Sequence, residues 1–344
     1  MPRFYFDANA TVPPHPAAVE AVARAMVEDW GNPTSTHREG QRARFRIEEA
    51  RRELAVVLGV AAGELVFCAS ATEALHLLIR GLQPALGDRP AAVFPGEHSA
   101  CLNPLRDWDR VAWLPEMPGE CATMAQMAAN NETGLLYAMP PALDAVRIKD
   151  CAQAWGKVPV DLSDCDAAVF SGHKMGGPRG AALLWMRSGL PWEAVMEGPQ
   201  ERRRRGGTED LPAILGLAVA ARHVAEREAQ NAALAPVRDA FEAEVLSWNR
   251  EIEVVGGNQP RLPNTSCLLI RGRNGEALHA GLDLAGFAVS TGSACHSGSV
   301  KPSHAITALG YTADEARSVI RVSMLPDAQS AEVEALAAVL KRLA

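Results

Sequence analysis

The chain has 344 residues, 48% of them apolar, and a formal charge of −7. It is long for one core and apolar enough to fill two. With no basic tail or long basic tract, nucleic acid and anionic membranes are excluded as main partners, and no stretch approaches the ~18 uninterrupted apolar residues of a membrane span.

Residues 1–12 (MPRFYFDANATV) lack a charged head followed by an apolar core, so a soluble cytoplasmic protein is expected. Phe4-Tyr5-Phe6 is a short extended entry. Pro16 to Trp30 reads as a helix stopped by Gly31-Asn32-Pro33, and the hydroxyls of Thr34, Ser35 and Thr36 offer caps for the helix that follows. From Arg38 to Leu58, Ala43, Ile47, Ala50, Leu54, Val57 and Leu58 recur at three- and four-residue steps, the pattern of an amphipathic helix. Leu65-Val66-Phe67 is then a short strand, and Ser70-Ala71-Thr72-Glu73 opens a helix to about Arg80. A strand ending in small and hydroxyl residues at a helix start presents free N–H groups, a ready phosphate site.

Further strands are expected at Ala91 to Phe94, Val111 to Leu114, Met124 to Ala128, Val146 to Ile148, Val169 to Phe170 and Ala182 to Trp185. Strands alternating with helices predict a mostly parallel sheet covered on both faces, with ligands at the carboxyl ends of the strands. After Thr208 the character changes. Leu211 to about Gln230 reads as one helix and Leu234 to Trp248 as another. Strands follow at Ile252 to Val255 and Ser266 to Ile270, with helices near Gly275 to Leu284 and Ser330 to Arg342. The predicted division is a large α/β domain over 13–230 and a smaller α+β domain made of 1–12 and 231–344.

Positive charge is carried mostly by arginine, and there are only five lysines: Lys149, Lys157, Lys174, Lys301 and Lys341. A guanidinium cannot form a Schiff base, whereas a lysine amine can. Lys174 closes Ser171-Gly172-His173-Lys174 directly after a buried strand, where an imine to an aldehyde cofactor belongs. Polar residues follow the other strands: Glu97-His98, Asn130-Asn131-Glu132-Thr133-Gly134, and Asp150 with Gln153. Singly these are a structural histidine, turn residues and a cap. Jointly they match the needs of pyridoxal phosphate: an acid for the pyridine nitrogen, an amide for the phenolic oxygen, an imidazole to stack on the ring and a lysine for the aldehyde. The seven cysteines (68, 101, 121, 151, 165, 267 and 295) are odd in number, with no C-x-x-C pair, which fits reduced thiols better than disulfides or structural zinc.

These residues resemble the cysteine desulfurases, a branch of the class V aminotransferase-like pyridoxal phosphate enzymes. The likeness runs nearly end to end. It takes in Asp7-Ala8-Asn9-Ala10-Thr11, Gly31 to His37, Ala71-Thr72-Glu73-Ala74, Glu97-His98, Asn130 to Gly134 and Asp150 to Lys157. It continues through Ser171 to Lys174, Gln200-Glu201 with Arg205-Gly206-Gly207-Thr208, Ser290-Thr291-Gly292-Ser293-Ala294-Cys295, and Ile320-Arg321-Val322-Ser323. The resemblance implies a fold of the aspartate aminotransferase type, pyridoxal 5'-phosphate as cofactor and L-cysteine as substrate.

Residue by residue, the resemblance implies that Lys174 holds the cofactor aldehyde and Asp150 pairs with the pyridine nitrogen. Gln153 meets the ring oxygen, Asn131 is a further cofactor-binding residue, and His98 stacks on the ring and moves protons. Ala71, Thr72, Ser171 and His173 hold the phosphate, joined by Thr208 from a second subunit, which implies a homodimer with shared active sites. Arg321 binds the substrate carboxylate, with Asn131, Asn9 and Ala10 beside it. Cys295, in the small and polar stretch STGSACHSGS, is the nucleophile that leaves as a persulfide, in the manner of the long-loop branch. The sulfur then passes to an acceptor such as an iron–sulfur scaffold. No resident metal is expected, and an iron–sulfur cluster at Cys295 would be transient.

Departures from the family pattern are the short stretches between His98, Asn131 and Asp150, Tyr137 where glutamine is common and Ser70 where glycine is common. Arg202-Arg203-Arg204-Arg205 is the one dense cationic run, either a solvated loop or a contact for phosphate or subunit through Arg205. Two alternatives stay open: another pyridoxal phosphate β-lyase such as selenocysteine lyase, or a silent homologue acting as a binding partner.

Overall fold

The computed structural model describes residues 3–108, 110–114, 120–141, 144–248, 251–291 and 302–344. The chain forms two compact units. Unit 1 comprises Met1–Thr11, Ala129–Tyr137 and Glu226–Ala344, and unit 2 comprises Val12–Ala128 and Ala138–Ala225. Compared with the expected 13–230 and 1–12 plus 231–344, the new feature is the excursion 129–137. It joins unit 1 because Leu135 bridges Arg261, Leu136 N–H donates to Pro260 O at 2.9 Å, and Gly134 packs on Thr265. Gly134 has φ +74°, and a Cβ there would meet the Thr265 Cβ at 2.8 Å, so both the conformation and the contact require glycine.

In chain order, unit 1 opens with β1 (Phe4–Tyr5). Unit 2 follows with α1 (Pro16–Glu28), α2 (Arg38–Leu58), β2 (Leu65–Cys68), α3 (Ala71–Leu86), β3 (Ala91–Val93), α4 (Ser99–Leu102), β4 (Val111–Trp113), β5 (Thr123–Met127), β6 (Val146–Asp150), β7 (Ala167–Ser171), β8 (Ala182–Met186) and α5 (Leu211–Ala221). The boundary falls in α6 (Val224–Ala232), and unit 1 resumes with α7 (Ala235–Trp248), β9 (Ile252–Val254), β10 (Thr265–Ile270), α8 (Gly275–Leu284), β11 (Phe287–Ala288), β12 (Ser290–Thr291), α9 (His304–Ala308), α10 (Ala313–Arg317), β13 (Val319–Ser323) and α11 (Ser330–Leu343).

Unit 2 is built on a seven-stranded sheet in the order β2-β8-β7-β6-β5-β3-β4. Only β8 runs against its neighbours, β2 and β7. Both faces are covered, which is why its strands are apolar without alternation. Phe67, Met124, Phe170 and Leu183 face one layer with α1, α2 and α5. Val66, Val93, Val169 and Leu184 face the other with α3 and α4. Unit 1 holds an antiparallel sheet β12-β13-β10-β9 and a parallel pair β1-β11, packed with α7, α8 and α11 around Phe241, Leu268, Phe287, Ile320 and Leu336.

Three local expectations need correction. The expected helix 211–230 is broken at Arg222–His223, because α5 is apolar all round and buried whereas α6 is polar, and the His223 ring stacks on His15 at 4.0 Å between centroids. Helix α3 runs on to Leu86 instead of stopping near Arg80. Gly81 continues it because Trp192 lies against that face, its indole N–H donating to Leu77 O at 2.9 Å, and a side chain at 81 would collide with the indole. Helix α2 is capped by His37, whose Nδ1 accepts from Gly40 N–H, while the Thr34 hydroxyl donates to Asn32.

Candidate active site

The direction of the strands sets the site in unit 2. β3, β5, β6 and β7 are mutually parallel, and β2 is parallel to β7 through the reversed β8, so their carboxyl ends share one edge. At that edge stand Ser70 to Thr72 after β2, Glu97 and His98 beyond β3, Met127 at the end of β5, Asp150 closing β6, and Ser171 to Lys174 closing β7. Every residue assigned to the cofactor apart from Asn131 and Thr208 is in this row or in the turn directly after Asp150.

Each of these side chains has a physical setting. Asp150 is buried, and its Oδ1 accepts from Ala152 N–H at 2.8 Å, which fixes the carboxylate plane. Beside it Glu97 is completely buried and accepts from Met127 N–H. Burial, and then the charge of Asp150, push its carboxyl well above the usual range, which favours the neutral acid at Glu97. His98 caps α4 through Nδ1, which accepts from Ala100 N–H at 3.1 Å, so its neutral ring carries the proton on Nε2. His173 is pushed down to about 4 by burial and by the charges of Lys174 and Arg179, which makes it a neutral hydrogen-bonding group at pH 7. Gly172 has no room for a side chain: a Cβ would lie 2.6 Å from Ala181 O.

At the start of α3 the Ser70 hydroxyl accepts from Glu73 N–H at 3.1 Å, and Glu73 accepts in return from Ala69 N–H at 2.6 Å. Ala71 and Thr72 occupy the first turn of this helix. Glu73 also pairs with Arg205 at 2.7 Å, so the cationic run is drawn into the protein: Arg202 reaches Glu48 and Arg204 reaches Gly63 O. Thr208 follows on the exposed surface of unit 2.

Unit 1 assembles the residues assigned to the substrate. Arg321, on β13, is buried, and donates through Nη1 to Asn131 O at 2.9 Å and through Nη2 to Asp7 at 2.5 Å. Asn9 donates to the same Asn131 carbonyl at 3.1 Å and to the Thr265 hydroxyl at 3.0 Å. Ala10 N–H donates to Asp7 O at 3.0 Å. Asn9, Ala10, Asn131 and Arg321 therefore come together around Asp7, which sequence reasoning took only as part of a motif.

Cys295 and its neighbour His296 lie outside the described residues. The other six cysteines are buried with free thiols. Burial raises each of them, Cys165 to about 12, so none is a thiolate near neutrality.

A family model described as Aminotransferase class-V matches residues 4–336. The chain belongs to the class-V aminotransferases, within the cysteine desulfurase group. A cysteine desulfurase of Cereibacter sphaeroides is 33% identical over 99% of this chain and 95% of its own length. An IscS-like cysteine desulfurase of Mycobacterium tuberculosis is 34% identical over 98% and 95%. Among solved structures, one titled a NifS-like protein has a TM-score of 0.89 at 26% identity, covering 99% of this chain and 98% of that one. Another, titled SspA in complex with cysteine, has a TM-score of 0.78 at 25% identity, covering 94% and 99%.

Enzymes of this family depend on pyridoxal phosphate, and the donor set fits it. A lysine follows β7, a buried carboxylate ends the neighbouring β6 to meet a ring cation, and a histidine kept neutral by burial and a capped helix start suit a phosphate. The contacts that sequence reasoning missed are Asp7 with Arg321, the neutral acid Glu97, and Lys157, which binds Gln153. The scarcity of lysines was a usable signal for the last.

Proposed function

We propose that this enzyme removes sulfur from L-cysteine to leave L-alanine, taking the sulfur as a persulfide on Cys295. The observation that carries this reading is the anchoring of the stretch on either side of Cys295. Ser290 is paired opposite Arg321 in the β12–β13 register, and the Ser303 hydroxyl donates to Glu132 at 2.6 Å, one residue from the carbonyl that Arg321 grips. Cys295 stands four residues past Thr291 in the sequence. The burial of the six other thiols supports the same choice.

Bound pyridoxal phosphate supplies an aldehyde carbon and an electron-accepting ring. Lys174 would hold that aldehyde and, once displaced by the substrate amine, take the Cα proton on Nζ. Asp150 would keep the ring nitrogen protonated, while His98 would stack and offer Nε2. Neutral His173, Ser171 and the first turn of α3 would bind the phosphate. Arg321, oriented by Asp7, would hold the substrate carboxylate in two parallel hydrogen bonds. The Cys295 thiolate would attack the substrate Sγ. The S–S bond forms as the C–S bond breaks, and the released pair stays on the carbon skeleton, which is protonated to alanine.

In this reading Thr208 reaches a partner subunit's phosphate in a homodimer. The persulfide sulfur goes to an acceptor protein such as an iron–sulfur scaffold, in the cytoplasm. Among the described residues no helix is long and apolar enough to cross a membrane. The test is Cys295→Ser, with alanine and persulfide followed from L-cysteine and L-selenocysteine. Loss of turnover on cysteine with the yellow band of the bound cofactor intact is expected. Unchanged sulfide and alanine release overturns the assignment, turnover of selenocysteine alone marks a selenocysteine lyase, and a wild-type protein with no yellow band marks a silent homologue.

A further inference from the structure

Two residues in the turn after Asp150 are almost completely buried, Gln153 at 4% exposure and Lys157 at 3%. Lys157 Nζ donates to Gln153 Oε1 at 2.6 Å. The turn that joins them is compact. Ala154 and Trp155 N–H both donate to Cys151 O, at 3.1 and 3.0 Å, and Lys157 N–H donates to Ala154 O at 2.9 Å. It is also seated against the residue after Lys174: Gly156 has φ +74°, and a Cβ there would meet the Met175 Cβ at 2.9 Å. Both side chains are thus held by a rigid piece of backbone between Asp150 and Lys174.

A carboxamide has an acceptor end and a donor end of nearly the same shape, and a half-turn of its last torsion exchanges them. A lysine ammonium can only donate. With the ammonium on Oε1, the opposite end of the Gln153 amide is N–H, the polarity that suits an anionic ring oxygen. A surface lysine would have kept its charge in water, and a leucine would have filled this space without desolvating a charge.

We infer that Lys157 is a positioning residue that sets the sense of the Gln153 amide, so that Gln153 donates to the phenolic oxygen of the cofactor. The inference rests on the reading of Gln153 as the partner of that oxygen. It does not require sulfur transfer, because its readout is the resting enzyme.

The experiment is the absorption spectrum of the purified holoenzyme across pH, with cofactor affinity measured alongside. In Lys157→Met the amide loses the cationic donor on its Oε1 and the donated bond to the ring oxygen weakens. The proton between that oxygen and the Lys174 nitrogen is then held more tightly, and the pH at which the yellow band titrates rises. The expected shift is about one pH unit, a tenfold change in proton affinity and the size of one charge-assisted hydrogen bond. Lys157→Arg, which keeps a cationic donor, restores most of the wild-type value. In a Gln153→Ala background Lys157→Met adds no further shift, because its route is gone. A folded Lys157→Met enzyme with an unchanged titration, or an equal shift in the Gln153→Ala background, overturns the inference. Should Lys157→Met fail to fold, Lys157→Gln keeps a hydrogen bond but no longer enforces donation. It moves the titration in the same direction by less, and no movement overturns the inference. Failure of the sulfur-transfer reading would appear instead as a normal spectrum with no alanine formed.

Discussion

Arg51 and Glu201 form an ion pair inside unit 2, with side chains 2% and 0% exposed. The guanidinium meets both carboxylate oxygens at 2.7 Å, donates to Leu65 O at 3.0 Å and lies 4.6 Å over the Phe67 ring. Glu201 also accepts from Phe67 N–H at 2.8 Å. It begins three consecutive left-handed residues, Glu201 (φ 46°), Arg202 (58°) and Arg203 (64°), a conformation that costs ~1–2 kcal/mol per residue without glycine. The turn exists because Arg51 holds Glu201 inward.

Arg51→Met keeps volume but leaves a buried carboxylate with one backbone donor, a loss of about 3–5 kcal/mol. For a unit of this size that lowers the melting temperature by roughly 6–20 °C. Thermal unfolding of the apo-protein followed by circular dichroism measures it. The double variant Arg51→Met/Glu201→Leu is expected to be more stable than Arg51→Met alone, since it removes the stranded charge. Melting of Arg51→Met within about 2 °C of wild type, or a double variant as unstable as the sum of the singles, would refute the argument.

Three further outcomes follow from the same structure. Arg321→Lys trades a planar fork for a point charge, so KM for L-cysteine should rise about tenfold or more with a smaller change in kcat, read by initial-rate kinetics. Neutral His173 contributes stability that is complete above its unfolded value of 6.5 and lost as pH falls through about 4. Urea titrations of the apo-protein should therefore show a fall in stability between about pH 6.5 and 4 that is flatter in His173→Asn. Native labelling with iodoacetamide near pH 7, mapped by mass spectrometry, should modify Cys295 while the six buried cysteines stay protected until denaturant is added. Rapid labelling of any of those six would contradict their burial.

The strand-end residues were legible because chemistry and local pattern coincide there. Short apolar runs ending in Ser171 or Cys68 announced both the strand and its carboxyl edge, the polar Asp150 marked the end of a strand that carries Arg147 and Lys149, and a lysine kept in an arginine-rich chain pointed to Lys174. The breaks were less legible. Arg222–His223 interrupts a helical pattern where the wholly buried α5 gives way to the polar α6, and α3 passes through Gly81 with Trp192 packed on that face. The role of 129–137 was hidden as well, since its partners, Arg261, Thr265 and Arg321, are more than a hundred residues away.

From its residues alone this chain specifies a doubly covered sheet, the functional groups along one edge of it, and the class of cofactor they suit, because periodicity and side-chain chemistry are properties of neighbours in sequence. The pairings are set only by the folded chain. Arg51 with Glu201, Arg321 with Asp7 and Lys157 with Gln153 each depend on which side chains share a space without water. Burial is what turns a surface charge into a partner that must be matched, and burial is decided by the whole fold.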